Sequence, residues 1–237
     1  MLRKIAMGAL VLLGSTAPIW ADAKDDVQAA AAKLADSANY SWNTTMESGQ
    51  FSSNSSGKTE KDGFTSLSLT LGDNTTLVVL KGTKALIKTD DGWKTPEEVA
   101  QQQQEGQPNP MMFVARMIQN YKTPAAQATE YAGKAPDLQK TDDGYSGNLS
   151  EEAAKAMMTF RRRNANASTQ PAVVKNAKAS VKFWIKDGVL SKMQYEVSGT
   201  VTFNDQDRDI DRTTTVEIKD VGSTQPDVPD EAKAKLK

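Results

Sequence analysis

Four Asp-Gly pairs, at 62–63, 91–92, 143–144 and 187–188, punctuate the chain, and each is followed at once by Phe64, Trp93, Tyr145 or Val189. Asp-Gly between alternating apolar runs is a strong short-range hairpin signal, because both residues tolerate the left-handed backbone that tight hairpin turns need. A chain built on this device is expected to fold as an antiparallel meander. No fixed spacing relates the four copies, so a repeat architecture is not indicated.

The stretch VKFWIKDGVLSKMQYEVSGTV, residues 181–201, shows what register implies. A two-residue loop pairs Lys186 with Val189 and mixes polar with apolar side chains on each face. A three-residue loop, Lys186-Asp187-Gly188, pairs Ile185 with Val189 and leaves Gly188 in the left-handed position of a bulge. That register gathers Val181, Phe183, Ile185, Val189, Met193, Tyr195 and Val197 on one face and Lys182, Lys192, Gln194 and Glu196 on the other. A half-buried sheet requires such a division, so the longer loop is expected. Trp184 and Leu190 then oppose each other on the polar face as a small second cluster.

The rest of the chain reads in the same terms. Residues 25–35 carry the helical stripe Val27, Ala30, Ala31, Leu34. The period falls to two from Tyr40 to Trp93, with strands expected at 40–47, 57–62, 64–71, 76–81 and 84–89. Thr95-Pro96 opens a helix as N-cap and first residue. Helices are also expected at 111–121, at 125–132 and after Ser150, the last running to Arg163. Strands return at 137–142, 144–149, 177–186, 189–197, 199–204 and 211–220, before a proline-bounded tail.

Composition then narrows the chemistry. The chain has no His and no Cys. That excludes Ser-His-Asp and Cys-His machinery, a His general base and an ordinary zinc site. The formal net charge is −1, with both signs interleaved and no basic stripe, which argues against nucleic acid. Arg3 and Lys4, the apolar run from Ile5 to Leu13 and Ala21-Asp22-Ala23 form a secretory leader over residues 1–23. One domain is expected over 24–237, exported to a bacterial periplasm or beyond. No later run is long and apolar enough for a transmembrane helix.

Several local patterns fail on their own terms. NDQDRDIDR (204–212) begins like a calcium loop, but Ile210 stands where Gly is needed and Val216 where the bidentate Glu is needed. It reads as a hairpin tip with acidic and basic residues on opposite faces. GKT (57–59) lacks the upstream glycine of a phosphate loop, since Ser52 is there. Arg161, Arg162 and Arg163 are read as completing a helix C-terminus rather than holding an anionic head group. No metal or cofactor is expected.

Methionine is the remaining pattern. Met111, Met112, Met117, Met157 and Met158 fall on the middle helices, and Met46 and Met193 on strands. Flexible, polarizable Met fills irregular cores, and it is also frequent on adaptable apolar binding surfaces.

The order of leader, N-terminal helix, meander, middle helices and second meander is similar to that of the LolA/LolB lipoprotein-carrier superfamily and its LppX-like relatives. The hairpin stretches LKGTKALIKTDDGW and VKFWIKDGVLSKMQYEV share the likeness, which covers roughly residues 25–230. DRTTTVEIKDVG followed by VPDEAKAKL also looks like the closing strand and tail of exported proteins of this type. The resemblance implies an α+β fold: a strongly curved antiparallel sheet, an open half-barrel, covered by several helices. It further implies an apolar cavity holding an acyl chain, a lipid or an acylated protein, with no enzymatic activity. The absence of an anchoring Cys fits the soluble carrier type. On that reading Met46, Met111, Met112, Met117, Met157, Met158, Phe160, Phe183, Ile185, Met193 and Tyr195 line the cavity. The alternative is a non-catalytic structural or protein-interaction module of the cell envelope with a filled core. An apolar cavity of roughly 300 Å³ or more separates the two. A third class, a carboxylate-based hydrolase, needs two carboxyl groups about 5–10 Å apart in a cleft. The Gln-rich segment 101–108 is either a gate or a solvated linker.

Overall fold

A computed structural model describes residues 19–72, 74–101, 110–159, 173–203 and 206–237. Eleven strands form one sheet: β1 (Asn39–Ser48), β2 (Phe51–Glu60), β3 (Phe64–Leu71), β4 (Asn74–Lys81), β5 (Lys84–Thr89), β6 (Gly92–Lys94), β7 (Gln139–Thr141), β8 (Gly144–Asn148), β9 (Val173–Lys186), β10 (Val189–Phe203) and β11 (Gln206–Lys219). The helices are α1 (Ile19–Ala35), α2 (Pro96–Gln101), α3 (Pro110–Gln119), α4 (Pro124–Lys134), α5 (Glu151–Met158) and α6 (Asp230–Lys235). The fold is α+β, with a curved, open, wholly antiparallel sheet. Its strand order is β6-β5-β4-β3-β2-β1-β11-β10-β9-β8-β7. Two meanders are therefore joined through β1 and β11, where Ser41 pairs with Lys219 and Glu47 with Thr213.

The hairpin at 186–189 corrects the expected register. Asp187 (φ 54°) and Gly188 (φ 73°) both adopt the left-handed backbone, making a two-residue turn with Val189 opposite Lys186. That turn's twist matches the twist of the strands it joins. The extra residue is absorbed later, as a bulge at Ser191, after which Met193 meets Phe183 and Tyr195 meets Val181. The apolar face is thus largely as expected, but Leu190 replaces Val189 opposite Ile185. Leu190 is 1% exposed and belongs to the main core. The expected Trp184–Leu190 cluster does not form. Trp184 lies instead between Lys182 and Lys192, whose ammonium groups stand 5.1 and 4.8 Å from its ring centre.

Strand boundaries also differ, and β9 and β11 begin earlier than expected, at Val173 and Gln206. The strand expected at 57–62 is β2, which begins at Phe51. FSSNSS has no apolar alternation; it is a strand because β1 pairs with its full length, Ser48 to Phe51 through Asn39 to Glu60. The expected strands 189–197 and 199–204 are the single strand β10.

Helix α1 lies across the concave face of the sheet and against α4. Its buried residues Val27, Ala31 and Leu34 share one core with Ala125, Ala128 and Ala132 of α4 and with Val181, Phe183 and Met193 of the sheet. Alanines facing alanines let two helix backbones approach closely while excluding water. Among the described residues the helix runs from Ile19, so the leader boundary expected at 21–23 falls within it.

Helix α2 starts with a capping box. The Glu98 N–H donates to Thr95 Oγ1 at 3.2 Å, and the Thr95 N–H donates to Glu98 Oε2 at 2.7 Å. Thr95→Ala is expected to cost about 1 kcal/mol, read as a lowered urea midpoint with an unchanged slope. Thr123 and Ser150 cap α4 and α5 through Ala126 N and Ala153 N. Helix α5 ends at Met158, short of the expected Arg163, with Thr159 already in extended conformation. Arg161, Arg162 and Arg163 lie outside the described residues, as do the segment 102–109 and most of the expected leader.

The proline-bounded tail does more than close the chain. Gly222 N–H donates to Asn39 O, and Thr224 N–H donates to Asn39 Oδ1. These bonds turn the tail back over the convex face. Val228, Ala232 and Leu236 then bury Val79, Leu86 and Trp93 in a second core, with Phe64 at its margin.

Candidate functional site

Strand pairing fixes which side chains share the concave face, because partners across an antiparallel ladder point the same way. One row runs Met46–Thr214–Tyr195–Val181 across β1, β11, β10 and β9. Another runs Thr44–Val216–Met193–Phe183. Further along β10 and β11, Val197 meets Arg212, Gly199 meets Ile210, and Val201 meets Arg208 and Val174.

This face has two halves of different character. Under α1 it is dry and filled: Phe183 is 0% exposed, Met193 1% and Val197 1%. Beyond α5 it opens. Met46, Val174, Val201 and Ile210 are half-buried, and Phe51 at the β1–β2 tip, on the same face as Met46, is 51% exposed.

The residues named from the sequence divide accordingly. Phe183, Met193 and Met158 are buried. Met46, Met111, Met112, Met117, Met157, Ile185 and Tyr195 are half-buried. Phe160 lies outside the described residues. The helical methionines sit over different strands: α3 packs on α2 and β5, and α5 packs on β9 and β10. Met158 fits where β10 has no side chain. A Cβ on Gly199 would stand 2.8 Å from Met158 Cε and 3.0 Å from its Sδ. Tyr131 of α4 meets Tyr195 edge-on, with ring centres 5.2 Å apart.

Sequence reasoning missed Arg212. It was read only as one of the alternating charges of the 204–212 run. Its Nη2 donates to the backbone carbonyl of Met157 at 3.0 Å, which ties α5 to β11. Its Nε is buried and has no hydrogen-bond partner among the described residues. No carboxylate of the described residues lies within ion-pair distance of it. Parity could have located it, since residues 212, 214 and 216 of one strand share a face with Val216 buried.

The two neighbouring tyrosines stay protonated. Burial pushes the Tyr195 hydroxyl up, opposed by Thr214 and by the Arg212 charge. Burial likewise raises Tyr131, helped by Tyr195 and Glu130 and opposed by Arg212. The arrangement therefore offers hydroxyls and one fixed cation amid apolar side chains. It can bind and orient a polar group.

Among the described residues the charges of the acidic run take opposite faces as expected, but Gln206 to Arg212 belong to strand β11 rather than to a hairpin tip. Asp207 and Asp209 lie on the convex side, where they accept from Thr202 and Thr200 at 2.5 and 2.8 Å. Arg208, Ile210 and Arg212 take the concave side.

Two depressions lie elsewhere. One of about 680 Å³ opens between the β4–β5 turn and the helices, lined by Leu80, Ala85, Pro96, Ile118, Tyr121 and Leu236. The other, about 400 Å³, lies on the convex face between a serine-rich sheet surface and the tail, at Ser41, Ser56, Ser66, Ser68, Asp227 and Pro229. None of the residues named from the sequence lines either one. No helix of the described residues is long and apolar enough to cross a membrane.

No family model matches the chain, and no curated protein matches it. Among solved structures it is similar to the lipoprotein LppX of Mycobacterium tuberculosis, at 8% identity and a TM-score of 0.44, over 87% of this chain and 99% of that one. It is similar to LprF of Mycobacterium bovis, at 8% identity and a TM-score of 0.40, over 90% and 98%. A LolA superfamily protein of Nitrosomonas europaea follows at 8% identity and a TM-score of 0.34, over 91% and 97%.

Proposed function

We propose that the protein is exported and carries an acyl chain, as a lipid or an acylated protein, on the open half of its concave face. One observation carries the reading. The sheet continues past its filled core as a half-buried apolar surface, Met46, Val174, Val201 and Ile210, that the described helices do not close over. Leaving such a surface wet costs roughly 25 cal/mol per Å², and an acyl chain laid along it removes that cost. The missing His and Cys and the protonated tyrosines agree with a binding role rather than a catalytic one.

The filled half favours the second reading, an envelope interaction module without a ligand. Phe183 and Met193 leave no room beneath α1, so on the carrier reading the acyl chain lies toward the Met46–Ile210 end.

Native mass spectrometry of the protein recovered from a bacterial envelope separates the two. The carrier reading expects a solvent-extractable apolar mass. It also expects Met46→Asp and Ile210→Asp each to weaken re-uptake of a fluorescent acyl probe by about tenfold or more, the effect of removing one well-buried apolar contact. A clean apo mass with no probe uptake by the unaltered protein would leave the interaction module standing.

A further inference from the structure

We infer that Arg212 makes the concave face selective for amphiphiles with an anionic oxygen head group, a carboxylate or a phosphate, over uncharged lipids of the same length. The inference rests on the acyl-chain reading and adds the head group to it.

The argument starts from satisfaction. A guanidinium carries five N–H donors in a planar fork that matches two oxygens of one anion. On Arg212 one terminal nitrogen is engaged by the Met157 carbonyl, while the buried Nε has no partner among the described residues. A buried donor of a charged group left unpaired costs free energy that an anion recovers.

Among the described residues no competing anion lies beside it. The carboxylates of Asp207 and Asp209 point to the convex side and are engaged there, by Thr202, Lys175 and Thr200. Asp211 is paired with Ser198, on that same convex side. Glu130, one residue from Tyr131, is held between Lys122 and Lys134 at 2.5 Å each. Arg208, two residues before Ile210 on the same face, is exposed. Arg212 is therefore a cation whose near neighbours are Tyr131, Tyr195, Met157 and Val197. Half-buried this way, it attracts an anion more strongly than a surface arginine does.

Position matches as well. Arg212 stands between the filled half, where Tyr195 and Met193 begin, and the open half, where Ile210 and Val201 follow along the same faces. A head group held at Arg212 leaves its chain to run outward over Ile210, Val201 and Val174.

The test measures displacement of a neutral fluorescent acyl probe from the full chain by palmitate against hexadecanol, and by dodecyl phosphate against dodecanol. At least one anion is expected to bind about tenfold or more tighter than its alcohol, the scale of one charge-assisted pair. The pair with the larger ratio tells carboxylate from phosphate. Arg212→Met is expected to abolish the ratio and Arg212→Lys to keep part of it. Equal affinity of each anion and its alcohol for the unaltered protein overturns the inference while the acyl-chain reading stands. Failure of all four compounds and the probe to bind overturns both. The comparison on unaltered protein decides the matter even if the Arg212 variants do not fold.

Discussion

Phe183→Ala is expected to destabilise the protein by about 4 kcal/mol, near the upper range for core truncations. The reason is that this site cannot relax. Phe183 is fully buried and stands between two paired strands, opposite Met193 on β10 and Tyr145 on β8. Both ladders hold its backbone. On the β8 side the approach is close enough that a Cβ on Gly144 would stand 2.4 Å from the Phe183 carbonyl oxygen. Above it, α1 is locked to α4 by small residues that leave no slack to sink into the vacancy. The lost ring therefore leaves a cavity rather than a collapsed site. For a chain of this size the change corresponds to a fall in Tm of roughly 8–16 °C. Urea unfolding checks it. A loss below about 1.5 kcal/mol would mean that the half under α1 is loosely filled, and would move the binding surface there.

Gly57→Ala carries the second large effect, and here a single methyl group does the damage. Trp42 of β1 lies over the neighbouring strand at Gly57. An added Cβ would stand 2.1 Å from its Cζ2 and 2.4 Å from its Cε2. Atoms do not approach so closely, so the indole must leave its place in the core, where Trp42 packs against Tyr40 at 5.6 Å between ring centres. Overpacking of this kind costs about 1–3 kcal/mol, and displacement of a buried Trp puts the expectation at the upper end. Near-UV circular dichroism should weaken as the indole loses its fixed surroundings. The control is Ser56→Ala, one residue away on the opposite, exposed face, which should stay within about 0.5 kcal/mol of the parent. If the two variants prove equally stable, Trp42 does not lie over Gly57.

These two sites show what could be read from the residues and what could not. The face of Phe183 was legible, because alternation and Asp-Gly turns are local signals. The turn itself was misjudged by one residue, since a bulge at Ser191 restores the same faces from a different loop, and alternation alone cannot tell the two apart. Gly57 gave no sign of its role. It sits in FSSNSSGKTE, a segment whose strand character comes from β1 beside it rather than from its own side chains. The tail was invisible for a related reason: Val228, Ala232 and Leu236 are too sparse to form a pattern until the convex face of β4 to β6 is there to receive them. Arg212 was legible in parity yet passed over, because a charge within a charged run looks solvated. Only the packing of α5 above it half-buries the side chain.

The pairing of β1 with β11 also has a consequence in time. Strands β1 to β6 are all present once the chain reaches Lys94, and their mutual contacts are local. The outer edge of β1 must wait for Gln206–Lys219, and the bond from Ser41 to Asp220 closes a loop of 179 residues. Long-range antiparallel closure of this kind is slow. A chain delivered N-terminus first therefore exposes an unpaired β1 edge through most of its emergence. The joining of the two meanders should be the late step of folding, and the interval before it is when the protein is most open to pairing with another chain.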